Sequence, residues 1–409
     1  MARFENLLFG DVPQPVLTQS DADNELFTMA LALTPGIGAR RGLRLMERFG
    51  SARAVFERSR RELEEAGLSG AHAQSIASGC SVDEAILQME KAKSSGTQLI
   101  PLDSPDYPAL LRHTPDPPLV LFARGNLSLL RNPCLGVVGT RRPTAYGKAV
   151  AAKLSKDLSE LGLTVVSGMA RGVDTAAHLQ ALTGPGSTIA VFGCGVDVIY
   201  PAENKALAAD IAAHGLILSE FPMGAPSYPQ NFPVRNRIVS GISLGILVVE
   251  GAQYSGSAIT ARLAIEQGRQ VFAVPGNITS KMSWGPNLLI KQGATLVQDA
   301  MDVLNGLPQD VRLQIYEGMY GAGSLAREEN TSADDSAGET ASGSTQALRS
   351  PAEARVLRSL RVDEGKTLDD LLDDFPDMSS SEIIAALFQL EMEGAIRQDA
   401  GQRYTKIWC

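Results

Sequence analysis

Six short apolar runs constrain this chain more than any other feature: Cys134-Leu-Gly-Val-Val138, Thr164-Val-Val166, Thr188-Ile-Ala-Val-Phe192, Leu216-Ile-Leu218, Leu244 to Val249 and Gln270-Val-Phe-Ala-Val274. Each is bounded by Gly, Pro or a polar turn, and helical stretches alternate with them. Runs of this kind are strands buried on both faces of a parallel sheet. The alternation favours right-handed βαβ units. The expectation is an α/β fold over residues 99–310, with an extended Rossmann-like, doubly wound parallel sheet.

The pattern changes on both flanks. Residues 1–98 read as short helices. Leu33-Thr-Pro-Gly-Ile-Gly38 followed by Ala39 to Phe49 predicts a helix, a Gly-rich hairpin and a second helix, with a looser echo at Ala66-Gly-Leu-Ser-Gly70. This resembles a small helical domain of helix-hairpin-helix or SAM-like type. Two readings of the hairpin stand: its backbone N–H groups meet a phosphate, or Gly-Ile-Gly is only a tight turn.

Residues 311–349 are expected to be a flexible linker. From 321 onward they are rich in Gly, Ala, Ser, Thr and acids, which bury too little apolar surface to offset chain entropy. Residues 350–409 resemble a winged helix-turn-helix. Helices are expected at Pro351 to Leu360 and from Thr367. A third opens with the capping-box spacing Ser379-Ser-Ser-Glu382, and a hairpin follows at Ala395 to Gln398 and Arg403 to Thr405. The third helix carries Glu382, Glu391 and Glu393 and no Lys or Arg, so a protein-interaction or regulatory role fits it better than phosphate contact.

Net charge is −9, which taken alone argues against a nucleic-acid partner. The charge is unevenly placed. Gly36 to Arg61 holds eight Arg against two Glu, Arg131 to Gln180 seven basic against three acidic residues, and Tyr228 to Leu296 six against two. Pro351 to Cys409 holds seven against twelve. The basic surface lies in the first two-thirds of the chain. Cys80, Cys134, Cys194 and Cys409 are far apart and form no CxxC, so a reducing, cytoplasmic setting is expected, with no disulfide framework or zinc site. The N-terminus has no basic-then-apolar signal pattern and no run is long enough to span a membrane.

The turns after the strands carry the candidate chemistry. Gly139-Thr-Arg-Arg-Pro-Thr144 leads into a helix, a geometry that binds phosphate through backbone N–H groups, with Arg141 and Arg142 adding charge-assisted bonds. It is neither a GxGxxG nor a Walker A. Ser167-Gly-Met-Ala-Arg-Gly-Val-Asp174 is a second small-residue turn, in which Gly168 and Gly172 permit close backbone approach. Asp174 is an N-cap or the holder of an arginine. His178 is a satisfied buried residue or a base. Cys194, in Phe192-Gly-Cys-Gly-Val-Asp197, has no activating partner in sequence and reads as structural. Tyr254-Ser-Gly-Ser257 supplies further hydroxyls and N–H groups. Asn231-Phe-Pro-Val-Arg-Asn-Arg237, just before an apolar strand, offers an aromatic ring in a turn and two arginines. All converge on the carboxyl edge of one sheet, with no evident nucleophile–base pair among them.

These residues carry a family resemblance. Gly139-Thr-Arg141, Ser167 to Asp174, Tyr200-Pro201, Ser219-Glu220, Phe232 to Ser240, Ser255-Gly-Ser257, Pro275-Gly276 and Gly293-Ala294 resemble the DNA-processing protein A (DprA/Smf) family. The resemblance spans roughly residues 100 to 300. It implies a non-catalytic Rossmann-like protein that binds single-stranded DNA, dimerises, needs no cofactor or metal, and loads the RecA recombinase onto incoming DNA during natural transformation, past single-strand-binding protein. Arg141, Phe232, Arg235 and Arg237 lie at motif positions expected to contact DNA. The wider set of candidates adds Gly139, Thr140, Arg142, Ser167, Gly168, Arg171, Asn236, Ser255, Gly256 and Ser257. Val173 replaces a frequent Ile, and Val234 stands where a basic residue sometimes does, a departure expected to weaken one phosphate contact.

A two-fold interface is expected near the end of the Rossmann-like domain. There Asn287 to Val297 reads as a short helix, a Gly turn and a short strand, with Leu289, Ile290 and Leu296 more apolar than a closing element requires. Two other functions compete with the single-strand binder. One is an enzyme on a related fold, such as a nucleotide phosphoribohydrolase, but Val249-Glu-Gly-Ala-Gln-Tyr-Ser-Gly256 lacks the Pro-Gly-Gly-x-Gly-Thr glycine run of that group. The other is a structural adaptor, which leaves the convergent arginines unexplained.

Overall fold

The computed structural model describes residues 19–253 and 255–316, and in the C-terminal part 355–357, 359–360, 366–375, 378, 383, 386–387, 390, 396–399 and 403–406. The expected linker 311–349 starts too early: residues 311–316 are helical, because Val311, Ile315 and Tyr316 give that turn an apolar side that packs on the sheet's core. The remainder of the linker, the capping box at 379–382, Glu391, Glu393 and Tyr254 lie outside the described residues. Two compact units divide the chain, Met1–Asn330 and Thr331–Cys409.

The first unit is built on nine strands: β1 Gln98–Pro101, β2 Val120–Gly125, β3 Cys134–Val138, β4 Thr164–Ser167, β5 Thr188–Val191, β6 Leu216–Ser219, β7 Gly245–Val248, β8 Gln270–Ala273 and β9 Thr295–Leu296. They form one sheet in the order β1-β2-β6-β5-β4-β3-β7-β8-β9. All six apolar runs are strands, and β6 through β9 pair in parallel. The sheet is longer than the sequence reading. β2 adds to β6, and β1 to β2, both antiparallel.

Each central strand sends alternate side chains to opposite faces. Leu135 and Val137 of β3 and Leu247 of β7 pack in one core with Leu154 and Leu158 of helix Ala145–Glu160 and Ala176 and Ala177 of helix Val173–Ala181. Cys134 and Val138, with Ile246 and Val248, join the other core, under Ile238 and Val239 of helix Asn231–Gly241. Both faces are covered, as a doubly wound sheet requires.

The N-terminal region is helical, as expected: helix Gln19–Leu33, a turn through Gly36 and helix Ala39–Phe49. Leu31, Ile37, Leu45 and Val55 share one core with Ile100, Leu119 and Leu121 of the sheet. The C-terminal unit holds a small sheet, β10 Lys366–Thr367, β11 Ile396–Asp399 and β12 Arg403–Lys406, in the order β10-β12-β11. The expected hairpin is the β11–β12 pair. Thr367 caps helix Leu368–Asp374 by a capping box with Asp370.

Candidate nucleic-acid interface

The strand order reverses at β3. The chain moves outward from β3 through β4, β5 and β6, then crosses back to place β7 on the other side of β3. The loops after β3 and β7 therefore part, and a crevice opens at their carboxyl ends. It is a cleft of about 620 Å³. Gly139, Thr140, Arg141 and Arg142 form one wall, Gly168 and Ala170 the next, Ser255, Gly256 and Ser257 the third, and helix Asn231–Gly241 crosses the middle. A recess of about 40 Å³ continues toward Arg171, Gly193 and Cys194 and shares Arg141, Phe232 and Arg235.

The segment read from sequence as a turn is the first part of that helix. Pro233 sits in its first turn, where no intrahelical N–H is needed and the ring is tolerated. Residues three and four apart then share a face. Phe232, Arg235, Asn236 and Val239 all line the cleft. The half-buried ring of Phe232 packs against Tyr200, with centroids 5.3 Å apart at 35°. The exposed guanidinium of Arg141 stands 5.5 Å from the centre of the same ring. A partly open aromatic face beside a free-standing cation can stack a base and pair its phosphate.

Arg235 forms the floor and is only 4% exposed. Its guanidinium lies against Gly168, where any side chain would collide with it. It donates to the Val191 carbonyl and, 3.2 Å away, to Asn236 Oδ1. Burial pushes Arg235 down to about 10, opposed by the nearby Asp174 carboxylate. Burial raises Asp174 in turn, opposed by Arg235 and by the N–H groups of Ala170 and Gly168, which donate to Asp174 Oδ2 at 3.3 and 3.1 Å. Asp174 thus holds the loop and offsets the charge of the nearby arginine, and the N-cap of its helix is Gly172.

Three devices fix the loops. Gly172 takes a positive φ of 82° as it passes beneath Thr140, whose carbonyl oxygen would lie 2.5 Å from any Cβ there. Met169 has a φ of 59°, strained for a residue with a side chain. Its N–H donates to His178 Nε2 at 3.3 Å and its carbonyl accepts from Asn204 Nδ2 at 3.0 Å. His178 is fully buried, meets Thr188 Oγ1 at 2.7 Å through Nδ1, and is pushed by burial to about 3. It is a satisfied interior residue that props the loop. Glu250, 2% exposed after β7, accepts from the Thr144 hydroxyl at 2.6 Å and the Thr144 N–H at 2.8 Å. Its own carbonyl accepts from the Thr140 N–H at 2.7 Å. The loop bearing Arg141 is thereby tied across the switch point.

Residues 98–308, just over half of the chain, match the family model described as DNA recombination-mediator protein A. The chain belongs to this family. It is 45% identical over 218 residues to the DNA processing protein DprA of Bacillus subtilis, which covers 53% of this chain and 73% of that one. It is 35% identical over 334 residues to the Protein Smf of Synechocystis, 78% of this chain and 82% of that one. The X-ray structure of DNA processing protein A from Streptococcus pneumoniae superposes with a TM-score of 0.62 and 34% identity, over 70% of this chain and 98% of that one. Membership of the recombination-mediator family assigns this protein to DNA processing.

Most of the residues predicted from sequence converge; Arg237 and Ser167 do not, and Arg171 does so only at the recess, already paired. Arg237 follows Arg235 by two positions, and on a helix such residues face apart. It is buried on the far side, with Nη2 2.5 Å from Glu220 Oε2 and Nε 3.4 Å from Asp116 Oδ2. Ser167 is fully buried and donates to the Val137 carbonyl at 2.6 Å, so its hydroxyl braces two strands. Arg171 lines the recess but pairs with Glu203. Thr140, Arg142 and Asn236 face the cleft, as do Ser255 and Ser257, whose hydroxyls bond each other at 2.7 Å. Tyr200, Val239 and Glu250 were not singled out as site residues. The helical spacing from Phe232 carries the signal for Val239. For Glu250 it is an acid ending an apolar strand.

The expected interface residues differ among themselves. Leu296 is 42% exposed on the edge strand β9, and Ile290 is half-buried on helix Trp284–Lys291. Leu289 packs against the sheet's own core. Among the described residues no helix is long and apolar enough to cross a membrane.

Proposed function

We propose that the cleft binds single-stranded DNA without chemistry and that the protein acts as a recombination mediator. In this role it protects incoming DNA and loads the RecA recombinase onto it during natural transformation, past single-strand-binding protein. The carrying observation is the placing of Arg141 and Tyr200 on the Phe232 ring, above buried Arg235, at the topological switch point. A single strand presents what this arrangement selects: an unpaired base to stack and a phosphate beside it. A duplex hides its base faces. Family membership supports the same reading. The non-catalytic part is supported by how the nearby titratable groups are engaged. His178 spends both ring nitrogens on Met169 and Thr188, and burial pushes the Cys194 thiol up to about 11.

Binding measured by fluorescence anisotropy across salt tests the reading. Single strands should bind more tightly than duplex of the same sequence, with affinity falling as salt rises and a log–log slope of several units. Equal affinity for both, or no salt dependence, sinks the single-strand reading. RecA loading is tested separately, by RecA filament formation on strands coated with single-strand-binding protein. No acceleration by this protein overturns the mediator role.

A further inference from the structure

The N-terminal segment Gly36 to Arg61 carries eight arginines, and the structure divides them in two. Arg53, Arg58, Arg60 and Arg61 each pair with a carboxylate: Asp23 and Glu57, Glu62, Glu64 and Glu65. Arg40, Arg41, Arg44 and Arg48 of helix Ala39–Phe49 are all exposed, and among the described residues none forms an ion pair. At 100° per residue the four fall within one arc of about 100°. The opposite side of the helix is buried through Gly42 and Leu45. In a chain of net charge −9, four arginines on one face flanked by a single carboxylate, Glu47, make a polyanion's counterpart.

The helix also has a defined place. A side chain at Gly42 would run into Leu119. Leu119 directly precedes β2, whose Phe122 pairs with Ser219, the last residue of β6. The helix is therefore anchored at the carboxyl edge of the parallel strands, the edge that holds the cleft. From β2, which Leu119 precedes, to β3 there are four strand spacings, about 19 Å at roughly 4.8 Å each. We propose that the arginine face of helix Ala39–Phe49 is a second phosphate contact for single-stranded DNA, continuing the path of a strand held in the cleft. The proposal rests on the single-strand reading of that cleft.

The test compares a short oligothymidylate that spans only the cleft with one several times longer. Arg40→Gln/Arg44→Gln removes two cations whose side chains make no tertiary contact beyond one bond within the helix. This variant should bind the short strand as the wild type does. It should bind the long strand on the order of tenfold more weakly in dilute salt, with a slope lower by about 1.4, at about 0.7 per lost phosphate contact. Arg60→Gln/Arg61→Gln removes the same charge from paired positions and should leave long-strand affinity unchanged. Unchanged long-strand binding in the first variant overturns the proposal, as does equal weakening on both lengths or by the control pair. Arg141→Ala and Phe232→Ala separate the two failures. If they weaken short-strand binding while the helix variant changes nothing, only the second contact is lost. If they leave it intact, the cleft reading falls and this proposal with it.

Discussion

Arg235 and Arg237 stand two residues apart on one helix and end on opposite sides of it. The first hydrogen-bonds the Val191 carbonyl beneath the cleft, and the second ion-pairs with Glu220. Their substitutions should therefore fail in different ways. Arg237→Ala leaves Glu220 buried without its partner and should cost about 3–5 kcal/mol of stability, with single-strand affinity per folded molecule unchanged. Replacing both members by apolar residues of similar volume should recover most of that loss. Chemical denaturation and binding on the same samples check this. A stable Arg237→Ala protein with weakened binding would return Arg237 to the interface.

Arg141 is exposed, and its replacement should spare the fold. Arg141→Ala is expected to weaken single-strand binding by roughly 1–3 kcal/mol and to lower the salt slope by about 0.7. Titrations at several salt concentrations measure both. A weaker complex with an unaltered slope would mean that Arg141 acts by holding the Phe232 ring and touches no phosphate.

Phe232 is half-buried, so part of its ring packs against Tyr200 and part is open. Phe232→Ala should cost roughly 1–3 kcal/mol in binding through lost stacking. Phe232→Tyr should keep most of the affinity, since the ring face is retained. If the alanine variant unfolds while binding per folded molecule is unchanged, the ring belongs to the core alone.

His178 makes stability depend on pH in a set direction. Its folded value, about 3, is below the ordinary 6.5. The unfolded chain therefore takes up a proton first as pH falls. His178 should cost stability below about pH 6.5, by up to about 1.4 kcal/mol per unit, until pH approaches 3. Asp174 and Glu220 work against it, because burial raises both carboxyls and their contribution fades as pH rises. His178→Gln isolates the histidine. The gap between wild type and variant should shrink on acidification, and a constant gap from pH 7 to 4.5 would refute the assignment.

Leu296 and Ile290 test assembly. The expectation of a two-fold interface at this end of the sheet predicts that Ile290→Glu and Leu296→Arg give folded monomers that bind long single strands more weakly. A dimer places two clefts on one strand and gains avidity without new contacts. Sedimentation at several concentrations, with circular dichroism as the folding control, decides it. A wild type that stays monomeric at high concentration removes the interface.

The six central strands were legible because strands buried on both faces are apolar along most of their length and alternate with helical stretches. β1 and β2 were not, since Gln98–Pro101 ends in proline and Val120–Gly125 includes an arginine. Antiparallel edge additions need no crossover helix to mark them. The loops after the strands were legible as ligand turns from their glycines. What misled the reading of Arg237 was Pro233: a proline between an aromatic and two arginines looks like a turn, and in a turn both arginines could converge. Once the segment is a helix, the spacing of two forbids it.

The clamp of Glu250 on Thr140 and Thr144 bears on speed as well as shape. Its hydrogen bonds hold the loop in place before any ligand arrives. For the single strand proposed to enter the cleft, little loop entropy then remains to be lost, and attraction between charges weighs heavily in the expected rate of encounter. A site of this kind fills quickly. How long it stays occupied depends on contacts that can be surrendered one at a time.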